Sequence, residues 1–284
     1  MGNEEKTFIG ISPIYHTIIF EMKKQKKKLY FFTVIAILIA VLTGYILQLF
    51  PDFLLSATQA EFFSGGLNFI SFLTLFAACL FFSGIICSEF NKRTGFIVFP
   101  KINKYKLIIG KYLGNLILVV FIVAVFYLIL GLFGFLYYGG PINIRIFYSF
   151  GFAVLYVVAL SSFVTLFSSF MKNVNITIII TLVILLMGFN ITDQIITLVF
   201  ADAFEPLYSL AYLGNLISSI LQNPFPDPRY VEFSFGGMGG GMMGGNFSFG
   251  SWVTPSIFMG TTLLLVYIVA CFLLAAVLFK RRQL

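Results

Sequence analysis

Charge is the scarcest property of this chain: 18 Lys and Arg and 11 Asp and Glu make up only 10% of its 284 residues. Soluble domains carry about 25%, so a fold surrounded by water is excluded. Histidine occurs once, at His16, with no cysteine or acid at ligand spacing, which removes zinc sites of the HExxH kind and His-based nucleophilic triads. No GxSxG turn is present either. The three cysteines, Cys79, Cys87 and Cys271, form no CxxC pair and lie in apolar runs, so neither a disulfide framework nor a Cys/His metal site is expected. Gly110-Lys111 looks superficially like the end of a phosphate-binding loop. The position five residues before Gly110 is Tyr105 where that loop needs glycine, and Tyr112 stands where a magnesium-binding Ser or Thr is required. This chain is therefore not expected to hydrolyse ATP or to act as an enzyme.

What the chain has is hydrophobic length: 60% of its residues are hydrophobic and 37 are Phe. A helix needs about 20 apolar residues to cross a bilayer. Six runs meet that length: Leu29 to Leu49, Leu67 to Cys87, Leu107 to Leu136, Ile146 to Phe170, Val174 to Ile191 and Ser256 to Phe279. The expected fold class is all-α, a polytopic membrane protein with six transmembrane helices. Sixteen of the 18 basic residues fall before the first span, between the second and third, in the turn at Lys172 and in the tail at Lys280, Arg281 and Arg282. By the positive-inside rule these segments, and both termini, are cytoplasmic in a multi-pass cell-membrane protein. Arg145 and Arg229 fall outside, with Asp52, Glu61, Asp193, Asp202, Glu205, Asp227 and Glu232.

Four segments follow. Residues 1–28 read as a cytoplasmic arm with an amphipathic interfacial helix, capped by Ser12, opened by Pro13 and ending in a lysine cluster. Residues 29–191 hold spans one to five, and 256–284 the sixth span with its basic tail. Between them, 192–255 form an extracytoplasmic segment. Pro206 to Leu221 is apolar but too short to cross comfortably and reads as a re-entrant or surface-lying helix. FSFG occurs twice, at Phe233 to Gly236 and Phe247 to Gly250, and the alternation suits a hairpin around a Gly/Met tract. Met238, Met242 and Met243 offer thioethers for Cu(I), but glycine gives no preorganisation, and a ligand-free loop is the preferred reading.

The spans carry almost no ionisable residue, which argues against proton- or sodium-coupled transport. Asp193 reads as a plain acid at the outer end of the fifth span. Ser161, Thr165, Ser168 and Ser169 share one face of the fourth, either as interhelical hydrogen-bonding groups, the preferred reading, or as a translocation surface.

The loop 88–106 and the opening of the third span read SEFNKRTGFIVFPKINKYKLIIGKYLGN to Asn115. Glu89, Arg93, Thr94-Gly95, Ile97, Val98, Phe99, Pro100 and Gly110-Lys111 occur in the order of an acid, a basic turn, a Gly/Thr pair, a short apolar helix, a proline and a Gly-Lys. In this the chain resembles the permease subunits of type-2 ABC transporters, apart from Thr-Gly where Gly-Thr is usual. The resemblance extends to the six-span plan. It implies a permease subunit, an exporter, that forms a homo- or heterodimer with a second permease copy or paralogue and docks a separate cytoplasmic ATP-binding subunit. ATP and magnesium then belong to that partner, and Glu89 to Pro100 form the coupling element. Glu89 is expected to hold Arg93 at i+4 or to meet the partner. A non-transporting membrane scaffold or assembly factor is the alternative; no nucleic-acid partner is expected.

Overall fold

The computed structural model describes residues 2–49, 58–91, 104–200, 203–235 and 247–281. The helices are α1 (Gly2–Lys24), α2 (Lys26–Leu49), α3 (Gln59–Leu67), α4 (Ile70–Phe82), α5 (Cys87–Asn91), α6 (Lys104–Tyr138), α7 (Arg145–Phe170), α8 (Val174–Val183), α9 (Phe189–Phe200), α10 (Leu210–Gly214), α11 (Leu216–Ser219) and α12 (Ile257–Arg281). A π-helical turn, Ile184–Gly188, joins α8 to α9. The only sheet among the described residues is the antiparallel hairpin β1 (Tyr230–Phe235) and β2 (Phe247–Trp252), in which Phe233 pairs with Phe249.

Among the described residues six helical stretches are long and apolar enough to cross a membrane: Lys26–Ile46, Gln59–Glu89, Tyr105–Tyr138, Arg145–Phe170, Val174–Phe200 and Ile257–Phe279. The second is the most enclosed, and the first, fifth and sixth the least. Spans two, three and four thus make the centre, and the others expose large apolar residues such as Leu198 and Phe258 where lipid would be the solvent. The core runs through Phe63, Phe81, Phe82, Phe126, Tyr156 and Leu160, all essentially inaccessible.

The alternating spans sort the charges. Lys23, Lys24, Lys26, Lys27, Lys28, Lys104, Lys106, Lys111 and Lys172 gather at one end of the bundle, and Arg145, Glu61, Asp193, Glu205 and Glu232 at the other, beside the hairpin. These are called below the basic end and the hairpin end.

Three local expectations change. Ser12 does not cap the first helix, because α1 begins at Gly2 and contains Pro13 in its interior; Glu4, Glu5 and Lys6 are good helix formers and carry the helix past the proline. The fifth span does not end near Ile191. It continues through the π turn to Phe200, so Asp193 lies within α9 and is no helix-end acid. Pro206 to Leu221 is two short helices, since Ser209 Oγ caps α10 at Tyr212 N (3.3 Å) and the chain turns again at Asn215. Leu210, Leu213, Leu216 and Ile217 are buried against the hairpin ends of α7 and α3.

Helix α1 packs on α6 through Gly110 and Gly114, a GxxxG spacing. A β-carbon at Gly110 would stand 2.8 Å from Thr17 Cβ and 3.1 Å from Ile14 O, and one at Gly114 3.2 Å from Ile18 O. Backbone oxygens cannot move aside as a flexible side chain does. Gly110→Leu is therefore expected to lever α1 off α6 at a cost of about 1–3 kcal/mol. Limited proteolysis checks this: faster cleavage between α1 and α2 is expected, with spans two to four as resistant as in the wild type.

Candidate functional site

The second span is interrupted at Ser83 to Ile86, between α4 and α5. A break inside an apolar bundle leaves backbone donors and acceptors that water cannot serve, so neighbouring side chains must satisfy them. Ile85 N turns to Phe82 O (3.1 Å), and Phe81 O instead accepts from Asn115 Nδ2 of α6 at 3.1 Å. Leu80 O accepts from Lys28 Nζ of α2 at 3.1 Å. On the other side of the break Ile86 N and Cys87 N both donate to Ser168 Oγ of α7, each at 3.1 Å, while that hydroxyl donates to Ser83 O at 2.7 Å. Three helices therefore converge on one interruption.

Directly after the break, Glu89 on α5 forms an ion pair with Lys111 on α6, with side-chain exposures of 13% and 5%. Among the described residues Glu89 thus meets Lys111, 22 residues away. Arg93, the expected i+4 partner, lies outside the described residues, as do Thr94, Gly95, Ile97, Val98, Phe99 and Pro100.

A cleft of about 970 Å³ opens beside the break, between α1, α2, α5 and α6. Its polar lining includes Glu21, Lys24, Lys28, Glu89, Lys111 and Asn115. Glu21 is buried under Gly114 and pairs with Lys24 at 2.9 Å. Asn115 is almost wholly buried, and its Oδ1 has no hydrogen-bond partner among the described residues. His16 sits at the rim, exposed, edge-on to Tyr15.

All four polar residues predicted on the fourth span are buried. Ser161 Oγ meets Tyr112 Oη of α6 at 2.6 Å, and Ser168 seals the break, so both make interhelical bonds. Thr165 Oγ1 donates to Ser161 O at 2.7 Å and Ser169 Oγ to Leu166 O at 2.6 Å, both within α7. The soft-ligand candidates Met238, Met242 and Met243 lie outside the described residues, and among those described no group of three or more His, Cys, Asp or Glu is placed to hold a metal.

At the hairpin end Glu205 accepts from Tyr212 Oη and Arg229 Nη1, both at 2.9 Å. Burial, followed by the Glu205 carboxylate, pushes the Tyr212 phenol well above its ordinary range, so it stays a neutral donor. Sequence reasoning read the hairpin but missed the Glu205 contacts with Tyr212 and Arg229, and it missed Asn115, Lys28 and the Lys111 pairing. The GxxxG in GKYLG was the one signal that was present and legible.

Comparison with protein-family models and with curated proteins gives no match for this chain. The class the structure defines is an all-α, multi-pass membrane protein with a discontinuous second span.

Proposed function

We propose that this chain is the transmembrane permease subunit of an ATP-driven ABC transporter, an exporter, with its basic end cytoplasmic and docked to a separate ATP-binding subunit. The observation that supports the reading most directly is the junction at the end of span two. The short α5 follows a break and leads toward residues 92–103, so a push from that side meets a segment set off from the rest of the span instead of a continuous rod. From α5 the displacement has two routes into the bundle: the Glu89–Lys111 pair into span three, and Ser168 into span four. The segregation of basic residues supports the orientation. A dimer of permease copies is part of the proposal, and the exposed first, fifth and sixth spans are the surfaces that could meet another copy.

The test is affinity purification of the tagged chain from its native membranes with photolabelling by azido-ATP. A co-purifying, nucleotide-labelled subunit is expected, and Phe99→Asp should release it while the permease remains inserted, because a carboxylate would have to enter an apolar docking groove. Absence of any nucleotide-binding partner, or its full retention by Phe99→Asp, would return the chain to the scaffold reading.

A further inference from the structure

A second cavity, of about 730 Å³, lies at the hairpin end between α9, α10 and the two strands. That volume is in the range that encloses a small organic ligand. Two carboxylates border it, Asp193 from α9 and Glu232 from β1, with Tyr212, Tyr230 and Trp252 forming an aromatic wall. Arg229, beside Trp252, is committed to Glu205 at 2.9 Å, its guanidinium 5.9 Å from the Trp252 ring centroid. Among the described residues neither Asp193 nor Glu232 has an ion-pair partner. The cavity is therefore anionic and aromatic at once.

Its unsatisfied atoms are specific about what is missing. Among the described residues Asp193 Oδ1 and Trp252 Nε1 have no accessible surface and no hydrogen bond, although the Asp193 carboxylate lies beside the Tyr208 and Ser209 hydroxyls, and each such unpaired group carries a desolvation cost that a suitable partner would recover. One is an acceptor and the other can only donate. A ligand in the cavity that engaged both would present a donor, preferably cationic, to the carboxylate and an acceptor to the indole. A bare metal ion fits poorly, because an indole N–H cannot ligate one and no third His, Cys, Asp or Glu is grouped with the carboxylates among the described residues. Aromatic faces beside carboxylates are the usual recognition chemistry for organic ammonium groups.

The hairpin is built to keep the wall in place. Tyr230 pairs with Trp252 across the strands, their ring centroids 5.3 Å apart and edge-on, and Tyr230 lies over Gly250 so closely that a β-carbon there would come within 1.7 Å of its hydroxyl. Only glycine leaves room for the ring in that position.

We propose that this cavity binds an organic ammonium ion carrying a nearby hydrogen-bond acceptor, the cation held by Asp193 and Glu232 and the acceptor by Trp252 Nε1. The proposal concerns this chain alone and does not rest on its partnership with an ATPase. Trp252 is the only tryptophan in the sequence, so indole fluorescence of the full chain in nanodiscs reads the site directly. The probe is phenylalaninamide at a pH where its amine is protonated. N-acetylphenylalaninamide, with the same ring and amide and no charge, is the control. A saturable change is expected with the cation, with apparent affinity at least tenfold weaker for the acetylated probe. Asp193→Asn and Glu232→Gln should each weaken the cation at least tenfold without altering the melting profile, and Gly250→Ala should weaken it by displacing Tyr230 while leaving the charge unchanged. If Asp193→Asn fails to fold, the exposed Glu232 decides, since its substitution removes no packing. No saturable change with the cation, equal response to both probes, or wild-type affinity in the carboxylate variants would overturn the proposal.

Discussion

Ser168→Ala is expected to lower the stability of the bundle by about 3–5 kcal/mol, a large loss for one oxygen atom. The Ser168 hydroxyl accepts from Ile86 N and Cys87 N and donates to Ser83 O, and all of these groups are enclosed. Alanine would leave two backbone donors without their acceptor in a site closed to water. Each buried group so orphaned costs about 1–3 kcal/mol. Ser83 O retains the weaker Cys87 Sγ donor at 3.0 Å, which limits the third contribution. Thr165→Val is the matched control on the same helix face, because the Thr165 hydroxyl serves only Ser161 O of its own helix; a change under about 1 kcal/mol is expected there. The free, buried thiols of Cys79, Cys87 and Cys271 make the measurement simple, since a thiol-reactive dye reports their exposure on heating. Cys87 should become reactive first in Ser168→Ala. Equal melting of Ser168→Ala and Thr165→Val would show that the break is held by packing and not by this hydroxyl.

How much of this was legible beforehand depended on the length scale of each feature. The six spans were readable because a bilayer requires a long apolar run, and only helices of that length satisfy their own backbone in lipid. The hairpin was readable from the alternation of Phe and Ser in the two FSFG copies, and Phe233 does face Phe249 in the register. The break in span two was not. Ser83-Gly84 inside FFSGIICSE is unremarkable in a transmembrane helix, where glycine is common, and what allows the interruption is Ser168, 85 residues from Ser83. Asp193 was misplaced for a similar reason: the polar residues Asn190, Thr192 and Asp193 look like a helix end, whereas the π turn at Ile184–Gly188 and the continuation to Phe200 keep it within the helix. The cavity beside Asp193 joins residues from 190 to 252, a convergence that no local pattern encodes. Gly110 carries a second signal beside the one it was read for. It was weighed as part of a Gly-Lys motif, while its structural work is to let α1 approach the α6 backbone.

The Glu89–Lys111 pair separates stability from coupling. Glu89→Gln is expected to destabilise the chain by about 3–5 kcal/mol, because an ammonium whose side chain is 5% exposed loses its counter-charge while remaining enclosed. The effect of removing both charges has a different sign. A buried pair replaced by apolar groups of similar volume is often neutral or stabilising, since neither ion need then be stripped of water. Glu89→Leu with Lys111→Met should therefore restore the melting temperature to that of the wild type or above it. In the proposed transporter the same double variant should lose transport, because a nonpolar contact does not tie α5 to α6 in one direction as a charge pair does, and a displacement of the loop would slip past span three. The exchanged pair, Glu89→Lys with Lys111→Glu, should regain part of both properties. Measured together, melting and ATP-dependent transport in reconstituted vesicles give a clear decision. A double apolar variant that is stable and transports at the wild-type rate would mean that this pair only braces the fold, and the route for coupling through α5 would have to be abandoned.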